Sequence, residues 1–305
     1  MLYCKQINFL NESSWPEIDI EKIIACLKKV LPNNVIEKEL KESLLYLNSI
    51  DKEKSLSFYN HAIVQDLKKP LYIYDLNYNH YYSHSYNHNE KKVVVAPNKK
   101  KEFVDLLLYD GFVIQKLLQK LLQKLIQNDE QQQQQQEQEQ ELTFTKLYIL
   151  ITDKLLCTFD ETDWRYHARS LICGNPTLIS TSGIVEGIAK PRDYYYKLYF
   201  FRGDDLDIVD ELKREYNGQF VNYNDPRIND IIIGLSLQSL FYFINSGDPF
   251  CEDRNCRLFN AHFQDDIIRI NIKEKKICQR HKILLNKYNQ SLFIDNNRSK
   301  KKDAE

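Results

Sequence analysis

The sequence has 305 residues and 43% hydrophobic side chains, enough to build a sizeable core in one large domain or two small ones. Its 42 lysines and arginines nearly balance 43 aspartates and glutamates, and the formal net charge of -1 excludes the uniformly basic field that sequence-independent nucleic-acid binding requires. No uninterrupted apolar run reaches the ~18 residues that span a bilayer and the N-terminus has no secretion-signal pattern, so we expect a cytoplasmic protein that binds neither nucleic acid nor membrane.

Residues 1–76 predict a β-α-β unit. Loose alternation of apolar and polar side chains predicts a strand over residues 2–10. Apolar residues at three-and-four spacing predict a helix over residues 18–31, and a second strand is expected over residues 35–40. Such an opening is typical of an α/β domain.

The chain between this unit and the later core has low complexity. Residues 77–101 are rich in Asn, Tyr and Ser, and we interpret them as a loop. Three histidines in this loop stand four residues apart, which would align metal ligands on a helix, but their neighbours are poor helix formers and a solvated loop is favoured. A strong helix is predicted over residues 102–127, and a polyglutamine insert without a predicted role in the fold follows over residues 128–141.

Residues 142–293 have the composition of a folded core. Short apolar runs predict strands near residues 147, 165 and 177, and we expect them to join the two earlier strands in one mixed sheet. A buried helix is predicted over residues 230–245, and the charged residues 294–305 should form a disordered tail. The predicted fold is therefore α/β, a single domain with a mixed β-sheet and packed helices.

The strongest chemical signal is a set of cysteines in the last quarter of the chain. Seven cysteines without an export signal predict reduced thiols rather than a disulfide framework. Cys251 and Cys256, followed at a distance by Cys278 and His281, form two ligand pairs joined by a connecting segment, as a tetrahedral structural zinc requires. The alternative is that these four residues are ordinary small core residues. We expect one structural zinc ion, because thiolates with one imidazole select zinc.

This pattern resembles the archaemetzincins, zinc metallopeptidases of the metzincin type. In that family a helix with His-Glu-x-x-His-x-x-Gly-x-x-His leads into two cysteines and a later Cys-x-x-Cys, which hold a second, structural zinc; here His281 replaces the last cysteine. Residues 149–156 and 177–180 are also similar to strands of the family. The resemblance covers the C-terminal half and implies a metzincin-like domain.

The sequence departs from that family at the catalytic motif. The resemblance aligns the three histidines of the motif with Leu240, Ile244 and Phe250, and its glutamate with Phe241. Only the glycine remains, as Gly247. Without imidazoles and the glutamate, these positions cannot hold a catalytic zinc or take a proton from its bound water. Residues 164–169, 179–192 and 256–262 more closely resemble an uncharacterised, archaemetzincin-like branch labelled as suspected metallopeptidases, which brings no established catalytic residues.

A second candidate site lies on the strand predicted near residue 165. Arg165, His167 and Arg169 alternate along it, so their side chains leave one face. Two guanidinium groups beside an imidazole suit an anion or a carboxylate, and the resemblance places this strand along the peptidase cleft. A solvated cationic edge is the alternative. For Asp160 and Asp163 we expect capping and turn roles, not metal binding.

Two functions remain open. The first is a peptidase-derived domain without the catalytic zinc motif that binds a small anion or a peptide in the former cleft. The second is a metal-dependent hydrolase with a relocated site, in which His167, Glu186 and His262 converge as metal ligands or as acid and base. His262 can equally be a hydrogen-bonded core histidine. We favour binding, because apolar residues at the motif positions fit a filled core.

Overall fold

The structure is a computed structural model that describes residues 4–38, 72–75, 80–83, 85–87, 92–94, 108–130, 145–200, 211–212 and 214–302. In chain order its elements are β1 (Gln6–Asn11), α1 (Ile20–Val30), β2 (Val35–Lys38), β3 (Tyr72–Asp75), β4 (His80–Ser83), β5 (Ser85–Asn87), β6 (Lys92–Val94), β7 (Leu108–Asp110), α2 (Gly111–Glu130), β8 (Lys146–Thr152), β9 (Leu155–Asp160), β10 (Arg165–Arg169), β11 (Leu171–Ile172), β12 (Thr177–Ser180), α3 (Thr181–Glu186), α4 (Arg192–Phe200), α5 (Ile228–Asn245), α6 (Gln264–Ile268), a π-helix (Arg269–Glu274) and α7 (Gln279–Lys302).

The central layer is a five-stranded sheet with the order β11-β12-β8-β1-β2. Its strands run parallel except for the edge strand β11, which is antiparallel to β12. Leu147, Ile149 and Ile151 of β8 face the core that contains α1 and α5. Tyr148 and Leu150 face α2 on the opposite side, because successive side chains of a strand point to opposite faces. The sheet therefore separates two helical layers, as predicted for an α/β fold.

The β-α-β opening is confirmed. Helix α1 begins after Asp19, whose carboxylate accepts a hydrogen bond of 2.9 Å from the backbone N–H of Lys22. Its apolar stripe, which includes Ile23 and Leu27, is buried against α5 and the sheet. Strands β1 and β2 pair in parallel on the same side of β8.

Strands β7, β9 and β10 form a second, three-stranded sheet with the order β10-β9-β7. The chain turns back after β9, so that Arg165 pairs with Asp160 across an antiparallel hairpin. The prediction that the strand near residue 165 joins the main sheet is therefore wrong. Alternation tells which side chains share a face, whereas the partner of a strand follows from the short turn that returns the chain to β9.

Helix α5 is the long buried helix that the sequence predicts. It is apolar on all sides, and most of its residues lie in the core that it shares with α1 and the sheet. By length and composition it is the one helix among the described residues that can cross a membrane, but 78% of it is buried inside this fold. Core packing therefore accounts for its apolar character.

Three predicted boundaries are corrected. The helix predicted over residues 102–127 begins only at Gly111, after β7, because the carboxylate of Asp110 caps it by accepting from the N–H groups of Phe112 and Val113. The predicted loop over residues 77–101 contains β4, β5 and β6, whose tyrosines and valines favour extended chain. The predicted disordered tail continues α7 to Lys302, because lysine and arginine are good helix formers. Residues 131–144, which include most of the glutamine insert, lie outside the described residues.

Candidate functional site

Three thiols and one imidazole converge beside α5. The sulfur atoms of Cys251, Cys256 and Cys278 and a ring nitrogen of His281 all lie within 4.8 Å of one another. The Sγ atoms of Cys251 and Cys278 are 3.7 Å apart, and Nδ1 of His281 lies 3.1 Å from Sγ of Cys278 and 4.0 Å from Sγ of Cys256. Tetrahedral zinc separates two bound sulfurs by about 3.8 Å. The four predicted ligands thus lie together in one group, the Cys3His group, that can hold a metal ion.

Backbone hydrogen bonds shape the loop that carries the first two thiols. The N–H of Cys251 donates to the carbonyl of Leu258, and the N–H of Cys256 donates to the carbonyl of Asp253, each at 2.9 Å. Two further N–H groups, those of Leu258 and Cys278, point at Sγ of Cys256 from 3.5 and 3.4 Å. N–H donors stabilise negative charge on sulfur, so these two bonds oppose, without outweighing, the effect of burial on the Cys256 thiol.

The other two ligands stand at the start of α7. Cys278 precedes the helix and His281 lies in its first turn. The His281 side chain is buried, and its ring packs edge-on against Phe241 of α5 with centroids 5.2 Å apart. Phe241 occupies the position that the archaemetzincin resemblance gives to the catalytic glutamate. In this chain that position packs against the Cys3His group instead.

Burial favours the uncharged forms of the side chains in the Cys3His group. Burial raises the pKa of the Cys256 thiol to about 12 and also raises the pKa of Cys251. Burial, together with the charge of Arg280, lowers the pKa of His281 and favours the neutral imidazole that binds metals. A bound dication would reverse the preference of the thiols, because ligation stabilises the thiolate. Metal binding is therefore expected to release protons.

A cleft of about 580 Å³ lies next to this group. Its walls are the end of β10 with β11, the second half of α5, the π-helix, and two short segments, 248–250 and 260–262. Segment 248–250 directly precedes Cys251, and segment 260–262 directly follows Phe259. Cys251 and Phe259 pair with each other across an isolated β-bridge. The loop that carries the first two thiols therefore also forms one wall of the cleft.

Arg169 is the member of the predicted basic face that reaches the cleft. Its Nε donates a hydrogen bond of 2.8 Å to the Thr158 hydroxyl, and both residues line the cleft. His167 lies opposite Thr158 in the β9–β10 ladder and Arg165 lies nearer the hairpin turn, but neither lines the cleft. The shared strand face thus leads only one of its three side chains into the cleft.

The three candidates for a relocated catalytic site do not come together. His262 is exposed and lines the cleft, so it is not the core histidine that the sequence left open as an alternative. Nε2 of His167 lies 2.8 Å from Oδ2 of Asp163, outside the cleft. Glu186 is hydrogen-bonded to Tyr223, whose pKa is raised by burial and by the Glu186 charge. Among the described residues these three form no group at metal-binding distance.

The hairpin turn assembles a second group that the sequence analysis rejected. Ligand atoms of Asp160, Asp163 and His167 lie within 4.8 Å of one another, a grouping that the expected capping and turn roles did not include. The turn, with Trp164 in the left-handed region at φ 58°, folds Asp163 back onto His167. The expected turn role of Asp160 is confirmed, since its Oδ1 accepts from the N–H and the hydroxyl of Thr162.

Two polar residues of the cleft were missed. Gln238 and Asn271 line it, although each is almost completely buried. The sequence pattern that could have predicted them is a polar residue within an apolar helical segment. Such a residue is expected to be buried, and a buried amide needs a hydrogen-bond partner or a ligand.

A family model described as "Probable metallopeptidase family (DUF6775)" matches residues 3–288. Comparison with curated protein sequences gives no match. Among solved structures, a zinc-dependent peptidase from Methanocorpusculum labreanum (strain Z) is 11% identical with a TM-score of 0.46, covering 92% of this chain and 99% of that one. An archaemetzincin from Methanopyrus kandleri is 12% identical with a TM-score of 0.34, covering 93% and 95%.

Proposed function

Because the chain belongs to the probable metallopeptidase family (DUF6775), we propose that it is a zinc-stabilised, peptidase-derived protein that binds an anionic group or a peptide in its cleft without cleaving it. The observation that carries this proposal is the chemistry of the cleft lining. The lining presents the Arg169 guanidinium, but it contains no member of the two metal-binding groups that the described residues form. Such a cleft can hold a ligand and lacks the means to hold a catalytic metal.

Zinc at the Cys3His group would be structural. Three soft thiolates with one imidazole favour zinc over the harder divalent ions. Four protein ligands fill a tetrahedral shell and leave no position for water or substrate, whereas catalytic zinc sites keep one position open. The ligands need reduced thiols, and all seven cysteines are free, which supports a reducing compartment such as the cytoplasm.

The cleft does not fit a catalytic metal. Among the residues that line it, His262 supplies the one imidazole, Asp248 the one carboxylate and Cys173 the one thiol. These three do not form a group at metal-binding distance. In addition, none of the seven histidines in the sequence is followed by a glutamate, so no His-Glu pair can supply a ligand together with a neighbouring base.

Arg169 supports an anionic ligand. Its Nε is anchored on Thr158, which fixes the plane of the guanidinium, and its terminal nitrogens have no hydrogen-bond partner within the described part of the chain. A planar fork of free N–H groups binds a carboxylate through two parallel hydrogen bonds. The C-terminal carboxylate of a peptide is such a group.

The strand beside Arg169 supports a peptide as the carrier of that carboxylate. Strand β11 lies at the edge of the main sheet, with β12 as its neighbour on one side. Residues 170–173, which include β11, line the cleft. An extended peptide can add to such an edge through main-chain hydrogen bonds.

The test is fluorescence anisotropy with a labelled Ala-Leu-Ala-Leu-Ala peptide that carries a free C-terminal carboxylate, titrated with the full zinc-loaded chain. We expect saturable binding that weakens at least about ten-fold when the peptide is amidated at its C-terminus, and as much in Arg169→Ala. Arg165→Ala is the matched control, because Arg165 leaves the same strand face without lining the cleft. Equal binding of the free and amidated peptides would contradict the proposal.

The alternative function, a metal-dependent hydrolase with a relocated site, is favoured by one observation, the group of Asp160, Asp163 and His167. Two carboxylates and an imidazole are hard enough ligands for a divalent ion that keeps open positions. This function requires a second metal equivalent that is lost in His167→Ala. It also requires that the chain cleaves a fluorogenic peptide and that the cleavage rate falls in the same variant. One metal equivalent and no turnover would exclude it.

A further inference from the structure

We propose that the floor of the cleft recognises a carboxamide, such as the side chain of a glutamine or asparagine in the bound peptide, through Asn271 and Gln238. The proposal rests on the proposed function, because it names the chemistry of the ligand that the cleft binds. It is carried by two buried amide side chains whose orientations are fixed and whose remaining polar atoms have no hydrogen-bond partner among the described residues.

Asn271 contributes a hydrogen-bond donor. It lies in the π-helix, lines the cleft and is 1% exposed. Its Oδ1 accepts from Nε of Arg257 at 3.4 Å, and since a guanidinium can only donate, this contact fixes which end of the amide is oxygen. Nδ2 then remains without a hydrogen-bond partner anywhere in the described residues. Because Asn271 lines the cleft, an acceptor on a bound ligand can pair with this donor.

Gln238 contributes a hydrogen-bond acceptor. It lies on α5, lines the cleft and is 4% exposed. Its Nε2 donates to the carbonyl oxygens of Phe259 at 3.1 Å and Arg257 at 3.4 Å. Because carbonyls can only accept, the amide nitrogen is fixed on that side. Its Oε1 has no hydrogen-bond partner in the part of the chain that the structure describes.

Both amides are held by one shared neighbour, Arg257. Arg257 donates to Asn271 and accepts from Gln238, so one buried residue orients the donor and the acceptor together. Gly234 stands one helical turn before Gln238, and an added Cβ there would lie only 1.7 Å from Oδ1 of Asn271. This close approach brings the π-helix against the turn of α5 that precedes Gln238. The surrounding floor is apolar, with Leu235, Ile267 and Ile270.

The pairing of one donor with one acceptor restricts the ligand. A carboxylate offers only acceptors and an ammonium group only donors, so each leaves one of the two amides unpaired. A trans peptide group directs its C=O and N–H in opposite directions and cannot present both to one surface. A primary carboxamide carries its acceptor and its donor on the same edge. The floor therefore selects an asparagine or glutamine side chain over its acidic or apolar analogues.

The test is a scan of the labelled peptide against the full zinc-loaded chain. Glutamine replaces each residue of Ala-Leu-Ala-Leu-Ala in turn, and each product is compared with the peptides that carry glutamate or leucine at the same position. We expect at least one position at which glutamine binds ten-fold or more tightly than both analogues. Absence of such a preference at every position would overturn the inference.

Asn271→Asp is the variant that isolates the donor. It keeps the size of the side chain and its contact with Arg257 but replaces the free donor by an acceptor, so the glutamine preference should disappear without loss of thermal stability. An unchanged preference in Asn271→Asp would also overturn the inference.

The outcomes separate this inference from the proposed function. A peptide that binds through its carboxylate with no preference for glutamine retains the proposed function and removes the inference. A glutamine preference without any effect of C-terminal amidation or of Arg169→Ala retains the inference and removes the carboxylate site. If no peptide of the scan binds, both are wrong.

Discussion

Replacement of Gly234 by alanine tests the packing on which the cleft floor depends. An added Cβ would lie 1.7 Å from Oδ1 of Asn271, 2.7 Å from its Cγ and 3.3 Å from Nε of Arg257. Because Cβ atoms essentially never approach other atoms within 3.0 Å, the Asn271 amide must move by more than 1 Å. That movement breaks the hydrogen bond that Arg257 donates to Asn271.

Three effects set the size of the change. Overpacking of a well-packed core costs about 1–3 kcal/mol. The buried polar groups left without a partner add a further penalty of about 1–3 kcal/mol. Alanine is a better helix former than glycine by about 1 kcal/mol, which opposes both. We therefore expect Gly234→Ala to lower the free energy of unfolding by about 3 kcal/mol.

The assay is urea denaturation followed by circular dichroism, with the slope against urea concentration checked for change. Gly247→Ala is the matched control, because no atom lies within 4 Å of its added Cβ. The glutamine preference of the cleft should be lost in Gly234→Ala and kept in Gly247→Ala. If Gly234→Ala is as stable as the wild type and keeps that preference, the described contact between α5 and the π-helix is wrong.

Three further predictions concern the metal group, pH and the anchoring of α7. Cys256→Ser should remove the bound zinc and lower the free energy of unfolding by more than about 3 kcal/mol, measured by metal analysis and denaturation. Burial alone would raise the pKa of Asp225, but hydrogen bonds from Arg227 hold that pKa below its usual range. The charged Asp225 therefore stabilises the folded state above its unfolded pKa, and this stabilisation is lost as pH falls. Asp225→Asn should accordingly be destabilising at about pH 7 and much less so at about pH 3. Tyr288→Phe should cost about 1–2 kcal/mol in the same assay, because the buried hydroxyl donates to the carbonyl of Cys4; no loss in this variant would show that the bond does not anchor α7.

The sequence predicts best what short-range periodicity controls. The apolar stripe of α1 and the continuous apolar run of α5 are both confirmed, as are the α/β fold class and the resemblance to a family described as probable metallopeptidases. The proximity of the four predicted metal ligands also follows from their spacing, because ligand pairs on two turns require only that the turns meet.

Tertiary packing decided what the sequence could not predict. Alternation correctly predicts that Arg165, His167 and Arg169 share a strand face, but the pairing of β10 with β9 leads only Arg169 to the cleft. Gln238 and Asn271 are 33 positions apart and line one cleft, because the π-helix comes close to α5 at Gly234. No local pattern in the sequence records that contact.

Native mass spectrometry of the full chain, incubated with the Ala-Leu-Ala-Leu-Ala peptide, tests the central claim most directly, because one spectrum reports the metal content and the state of the ligand. We expect one zinc ion per chain, a mass shift for one intact peptide, and loss of that second shift in Arg169→Ala. A second metal ion with peptide fragments in place of the intact peptide, or a folded chain without zinc, would contradict it.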